Sequence, residues 1–208
     1  MCKIRKIMNI RKIFLILMLC SAILTIKAQT ATQVLDKTAA VVGRSSGCSA
    51  AFTASSSKYG TTSGTIAIKG RKFHARTPQA IVWFDGKTQW SYLKQNEEVN
   101  VSTPTQAQQM RMNPMTFIHI YKTGYTQRMT KQKGSYFITL TAKNKKRTVQ
   151  QMQIWINSRS YVPTKIRMRQ GNSWTTITVR NFSAAAQPNS LFRFNAKDFP
   201  NAEVIDLR

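Results

Sequence analysis

The sequence predicts an α+β fold built on one large antiparallel sheet, with a helix at its front. Three observations carry that expectation. Alternating apolar residues recur from Gly64 to Arg76 and again from Gly134 to Phe182. Val82-Trp83-Phe84 and Gln89-Trp90-Ser91-Tyr92-Leu93 flank Asp85-Gly86, and Asp-Gly between β-prone runs marks a tight hairpin because Gly accepts the positive φ of its turn. Between the two sets of strands, Thr105 to Tyr121 loses the alternation and becomes rich in Gln and Met.

The chain opens on an address. Lys3, Arg5, Lys6, Arg11 and Lys12 form a basic region, and Ile13 to Ile26 is apolar, a run short of the ~20 residues of a membrane span. Residues 1–28 are therefore expected to be a signal peptide cleaved after Ala28, and residues 29–208 one domain. Cys20 has Leu19 before it, not the small residue that lipid-anchor processing uses, so it is expected to leave with the leader.

Val34, Leu35, Thr38, Val41 and Val42 recur at helical spacing, and Gly43 can end that helix. From Ser49 to Ser57 small residues alternate around Phe52, and strands are expected over Gly64 to Lys69 and Lys72 to Arg76, then in the Asp-Gly hairpin. Asn113-Pro114 divides the Gln/Met-rich segment into one or two short helices, since proline fits a first helical turn. Four strands follow, over Gly134 to Ala142, Thr148 to Asn157, Val162 to Arg169 and Ser173 to Phe182. Their connections are short enough for an antiparallel meander, and Ala202 to Leu207 can add a last strand. Strands with one clean apolar face can curl round an apolar interior.

Charge is the second strong feature. The chain carries 32 Lys+Arg against 7 Asp+Glu, a net charge of +25. Residues 1–28 hold six of the bases and no acid, leaving about +19 on the rest. Such a field attracts polyanions, anionic headgroups or an acidic partner. The bases are scattered through strand-like segments, and the densest run, Lys143 to Arg147, reads as a hairpin loop. Nucleic acid is accordingly not the expected partner, although a secreted basic β-protein that binds polyanions stays open as an alternative.

Little in the chain points to catalysis. His74 and His119 lie on different elements without cysteine or carboxylate partners at metal-ligand spacing; the first is expected on a strand surface, the second in a packing or surface role. Glu97 and Glu98 are adjacent, so on a strand they face opposite ways. No phosphate loop or nucleophile elbow is present. No catalytic residue, metal or cofactor is expected. Cys48 is the one cysteine beyond the leader, so it has no intramolecular partner and is expected to be buried.

Apolar residues offer more. The hairpin aromatics and Met110, Met112 and Met115 supply adaptable apolar surface, since methionine is unbranched and polarizable. Asp85-Gly86-Lys87 followed by Trp90 and Tyr92 resembles the "S-D-G-K-x-x-W-x-Y" segment of the periplasmic lipoprotein carrier (LolA) family. Ser63 to Lys69 is similar to that family's "G-x-L-x-V-K/R" strand, with Phe73 where the family has an aromatic. Asn113 to Tyr121 resembles its lid-helix region. Phe192 to Phe194 leading to Val204-Ile205-Asp206 resembles its close.

The resemblance implies an incomplete antiparallel β-barrel, a strongly curved sheet covered by a short helical lid, with an apolar cavity for lipoprotein acyl chains. It implies a monomer in the Gram-negative periplasm that collects acylated lipoproteins from an inner-membrane ABC transporter. It would deliver them to an outer-membrane acceptor or an anionic membrane surface. A lipid-sensing regulator on the same fold is the nearest alternative. On this reading Ile66, Ile68, Phe73, Trp83 and Trp90 line the sheet face, while Met110, Met112, Met115 and Phe117 line the lid. The family's lid-locking arginine falls on Lys69, with Gly70 in place of its proline neighbour and Arg71 close by, so Lys69 and Arg71 are the latch candidates. Lysine offers one donor point where arginine offers a planar fork.

Overall fold

The computed structural model describes residues 29–58, 60–105, 108 and 120–208. Residues 1–28, expected to be a leader, and His119, Met110, Met112, Met115 and Phe117 lie outside the described residues. Helix α1 spans Ala31–Val42. Its start is written in Thr30 and Gln33: the Thr30 hydroxyl accepts from the Gln33 amide, and the Gln33 side chain accepts from the Thr30 amide. Val34, Leu35, Thr38 and Val42 form its buried stripe. Burying Val34 and Leu35 contributes about 1.5–3 kcal/mol each.

Strands β1 (Cys48–Ser56), β2 (Gly60–Lys69), β3 (Lys72–Arg76), β4 (Ala80–Phe84), β5 (Gln89–Leu93) and β6 (Glu98–Ser102) run as successive antiparallel neighbours. Strands β7 (Tyr125–Gln132), β8 (Ser135–Ala142), β9 (Gln151–Asn157), β10 (Pro163–Gln170) and β11 (Ser173–Ser183) form a second meander. Pairing of β1 with β11 joins the two meanders, and β12 (Glu203–Asp206) adds beside β6. The result is one 12-stranded sheet, curved but unclosed, in the order β12-β6-β5-β4-β3-β2-β1-β11-β10-β9-β8-β7. This is the incomplete barrel of the sequence reading. Opposite Ser49 to Ala51 of β1, strand β11 carries one extra residue between Arg180 and Ser183, with Asn181 at φ +51°, and this bulge bends the sheet at its centre.

The hairpin sits where expected. The Asp85 carboxylate accepts from the amides of Lys87 and Thr88 at 3.0 and 2.8 Å, and Gly86 takes φ +104°. Gly64 is required for a different reason. It lies opposite Phe52, and a Cβ there would stand 2.0 Å from the Arg76 carbonyl oxygen.

Two expectations need correction. The second meander has five strands, because Tyr125–Gln132 also pairs. That strand is the sheet's edge and is mostly polar, so it shows little alternation. The closing strand β12 is parallel to β6, not part of an antiparallel meander.

The sheet's inner face, which carries α1, holds the larger core: Ile138, Leu140, Met152, Ile154, Ile156 and Ile166 are fully buried there with Val34 and Leu35. A second core lies on the opposite, outer face of β4–β6. Trp83 stacks on His74 and meets Phe194 and Phe199 edge-on, with ring centroids 5.5–5.6 Å apart. Phe192, in the short 3-10 turn Asn189–Phe192, is fully buried, and Tyr92 packs on Phe199 at 4.7 Å.

Candidate functional site

On the inner face, β1, β2, β3, β10 and β11 curve around a cavity of about 300 Å³. That is at the small end of ordinary ligand pockets. Phe52 and Ala54 from β1, Ile66 and Ile68 from β2, and Phe73 from β3 form one wall; Met168 and Ile177 face them. The strand register explains the set. Cys48 pairs with Ile68, Ile68 with Phe73, and Ala50 with Ile66, so each aligned row points to one side. Among the described residues no charged side chain lines the cavity; Ser49, Gln170 and Thr175 supply its polar groups. Phe52, Ala54, Ile66 and Val179 are only half-buried although apolar.

Cys48 belongs to this wall. Its thiol donates to the Val42 carbonyl at 3.3 Å, tying the end of α1 to the start of β1. Burial pushes the thiol pKa up to about 11, with Arg44 pulling slightly the other way. The residue is buried and disulfide-free, as the sequence reading expects.

Three of the five sheet residues named from sequence, Ile66, Ile68 and Phe73, meet at the cavity. Trp83 and Trp90 do not, and this corrects the reading. Phe73 pairs with Phe84 while His74 pairs with Trp83, and Trp83 pairs with Trp90. Both tryptophans therefore share the outer face with His74, one residue out of phase with the cavity row. His74 is correspondingly not a surface residue: it is buried under Trp83, and burial, then neighbouring Arg76, pulls its pKa down to about 4. The sequence reading also misses Phe52, Met168 and Ile177, whose alternation with polar neighbours is a usable signal in each strand.

The latch candidates are placed as follows. Lys69 Nζ donates to the Gln187 carbonyl at 2.8 Å, so it fastens the segment after β11 to the β2–β3 corner. Arg71 borders a polar notch with Asp36, Gly70, Tyr121 and Lys122. In that notch the fully buried Tyr121 donates its hydroxyl to the Asp36 carboxylate, and Lys122 pairs with Asp36 at 3.6 Å. Burial and the Asp36 carboxylate both raise the Tyr121 pKa, keeping the hydroxyl a donor. The residue that ends the Met-rich segment is thus bonded to the helix beside the cavity.

The sheet is thus unclosed and curves round an apolar cavity, with helix α1 laid on its inner face. A family model described as outer membrane lipoprotein carrier protein LolA matches residues 21–172, and the chain belongs to that family. Members of this family are carrier and binding proteins. Among solved structures, an uncharacterized conserved protein from Thermus thermophilus shares the fold at TM-score 0.58 and 11% identity, covering 86% of this chain and 99% of its own. A LolA superfamily protein from Nitrosomonas europaea aligns at TM-score 0.45 and 10% identity, over 80% of this chain and 99% of its own. A putative outer membrane lipoprotein-sorting protein domain from Vibrio parahaemolyticus aligns at TM-score 0.42 and 10% identity, over 80% and 94%. No curated protein matches the sequence.

Proposed function

We propose that the protein binds lipoprotein acyl chains in the inner-face cavity and carries them across the envelope. On this reading it collects them from an inner-membrane ABC transporter and releases them to an outer-membrane acceptor. The observation that carries the proposal is the uncharged cavity wall of Phe52, Ile66, Ile68, Phe73, Met168 and Ile177, part of which stays half-exposed. Apolar side chains left open on one concave face gain when a chain covers them, by about 0.8 kcal/mol per buried methylene of the ligand. A bilayer offers a similar gain, so handover needs only a modest difference between the two. Family membership supports the same reading. Residues 1–28 then serve as the export signal, residues 29–208 as a single monomeric carrier unit in the periplasm, and Met110, Met112, Met115 and Phe117 as the lid.

The test compares a triacylated lipopeptide with its unacylated twin at low and high salt. Acyl-dependent binding that persists in high salt is expected, with Ile66→Glu weakening it more than about tenfold because a charge then faces the cargo. Equal binding of both peptides that vanishes with salt would overturn the proposal and leave charge as the basis of binding.

A further inference from the structure

The outer face of β8–β11 is unlike the other described surfaces of the molecule. Residues 125–183 contain twelve Lys+Arg and no Asp or Glu. All seven acids lie in α1, around β4–β6 or in the segment after β11. Strand alternation puts Phe137, Trp155, Lys165, Arg167, Arg169, Trp174 and Arg180 on this outer side. Every one of them is exposed or half-buried, in contrast to the buried outer positions of β4.

These side chains are organised. The Trp155 ring packs against Phe137 at 4.7 Å, and Lys165 Nζ stands 5.0 Å from its centroid. Arg167 lies 4.6 Å from the Trp174 centroid and donates to the Gln153 side chain at 3.2 Å. Arg180 donates to the Thr53 hydroxyl at 2.7 Å. Toward the strand ends, Arg169 and Lys145 border a polar notch, and Arg169 Nε is buried without a hydrogen-bond partner among the described residues. Two cations held over indole rings, a third donor unpaired and no carboxylate among them form a cationic, aromatic surface.

We propose that this face docks on an anionic lipid bilayer. Lysine and arginine meet headgroup phosphates, and indole rings suit the depth just below them. Single-stranded nucleic acid fits less well, because base stacking needs open ring faces and those of Trp155 and Trp174 already carry Lys165 and Arg167. The docking face is opposite the cavity, so the inference stands independently of cargo binding. The two together leave the cavity side free while the protein rests on a membrane.

The experiment uses the exported product of the full chain, without cargo, and vesicles of phosphatidylglycerol with phosphatidylethanolamine against phosphatidylcholine vesicles. Binding is expected to the anionic vesicles alone and to weaken as salt rises. Each cation at the surface contributes roughly fivefold, so Lys165→Gln with Arg167→Gln should cost roughly twenty-fivefold. Lys87→Gln with Lys94→Gln removes the same charge from the β4–β6 half and should cost less than about threefold. Unchanged melting of both pairs shows that folding is intact. A second reading needs no charge substitution: brominated lipid should quench tryptophan emission, and Trp155→Phe with Trp174→Phe should abolish most of that quenching. Equal weakening by both pairs, binding to phosphatidylcholine, quenching that survives the tryptophan pair, or tighter binding of single-stranded DNA with the same residue dependence would each overturn the proposal.

Discussion

The two halves of the sheet use the same strand alternation with opposite sign. In β8–β11 the apolar row points inward to α1 and the cavity, and the outward row is basic and aromatic. In β5 and β6 the inward row is Gln89, Ser91, Asn100 and Ser102, while Trp90, Tyr92, Val99 and Val101 point outward. The change happens across β3 and β4, where Phe73 and Phe84 face in and His74 and Trp83 face out, all four buried. One sheet therefore supports two cores on opposite sides, and the inward one holds the apolar cavity. The outward core is closed by the aromatic segment after β11, through Phe192, Phe194 and Phe199.

The largest expected effect tests whether that segment is structural. Phe192→Ala should cost about 3–5 kcal/mol in chemical denaturation, since a fully buried aromatic is lost. Its effect on lipopeptide affinity per folded molecule should be small, because the cavity lies on the other face. A large loss of affinity with little loss of stability would mean that the two cores are not separate.

The next effect depends on pH. His74 titrates near 4 in the folded chain and near 6.5 when unfolded, so below pH 6.5 the unfolded chain binds the extra proton. Stability should fall as pH drops from about 6.5 to 4 and then stop falling on this account, a loss of roughly 3 kcal/mol. In His74→Gln the denaturation midpoint should vary less over that window; an unchanged slope would place the pH dependence elsewhere.

Gly64→Ala should destabilise by about 1–3 kcal/mol, because the new methyl meets the Arg76 carbonyl, which cannot move without shifting β3. Smallest of all, Trp155→Thr on the outer basic face should cost under about 1 kcal/mol in the same assay, since that ring is half open to solvent. A loss as large as that of Phe192→Ala would show that the β8–β11 face is covered by something beyond the described residues.

Much of this is legible in the sequence. Ala31 to Gly43 reads as a helix, Asp85-Gly86 as a turn, and β8–β11 as a meander because each apolar row is continuous and each connection short. The cavity residues Ile66, Ile68 and Phe73 also follow from alternation. What alternation cannot state is the side. Trp83 and Val82 are equally apolar neighbours, and only the pairing register, with the late arrival of Phe194 and Phe199, decides that Trp83 faces away from the cavity. Burial of His74 follows from the same register. Strand β7 leaves little trace in the sequence because an edge strand has only Tyr125 and Met129 to offer the core. The parallel pairing of β12 rests on contacts between residues about a hundred positions apart, which no local pattern encodes.

The pairing of β1 with β11 sets the order in which the molecule can assemble. Phe52 finds Val179 and Ala54 finds Ile177, so the middle of the sheet joins the first strand made to one of the last. Until the ribosome has released nearly all of these residues, β1 has one bare edge and the outer core lacks its aromatic cover. Such long-range closure is slow, because loop entropy must be overcome before the contacts repay it. The nascent chain consequently remains extensible and threadable for most of its synthesis, and becomes rigid only when its final strands arrive.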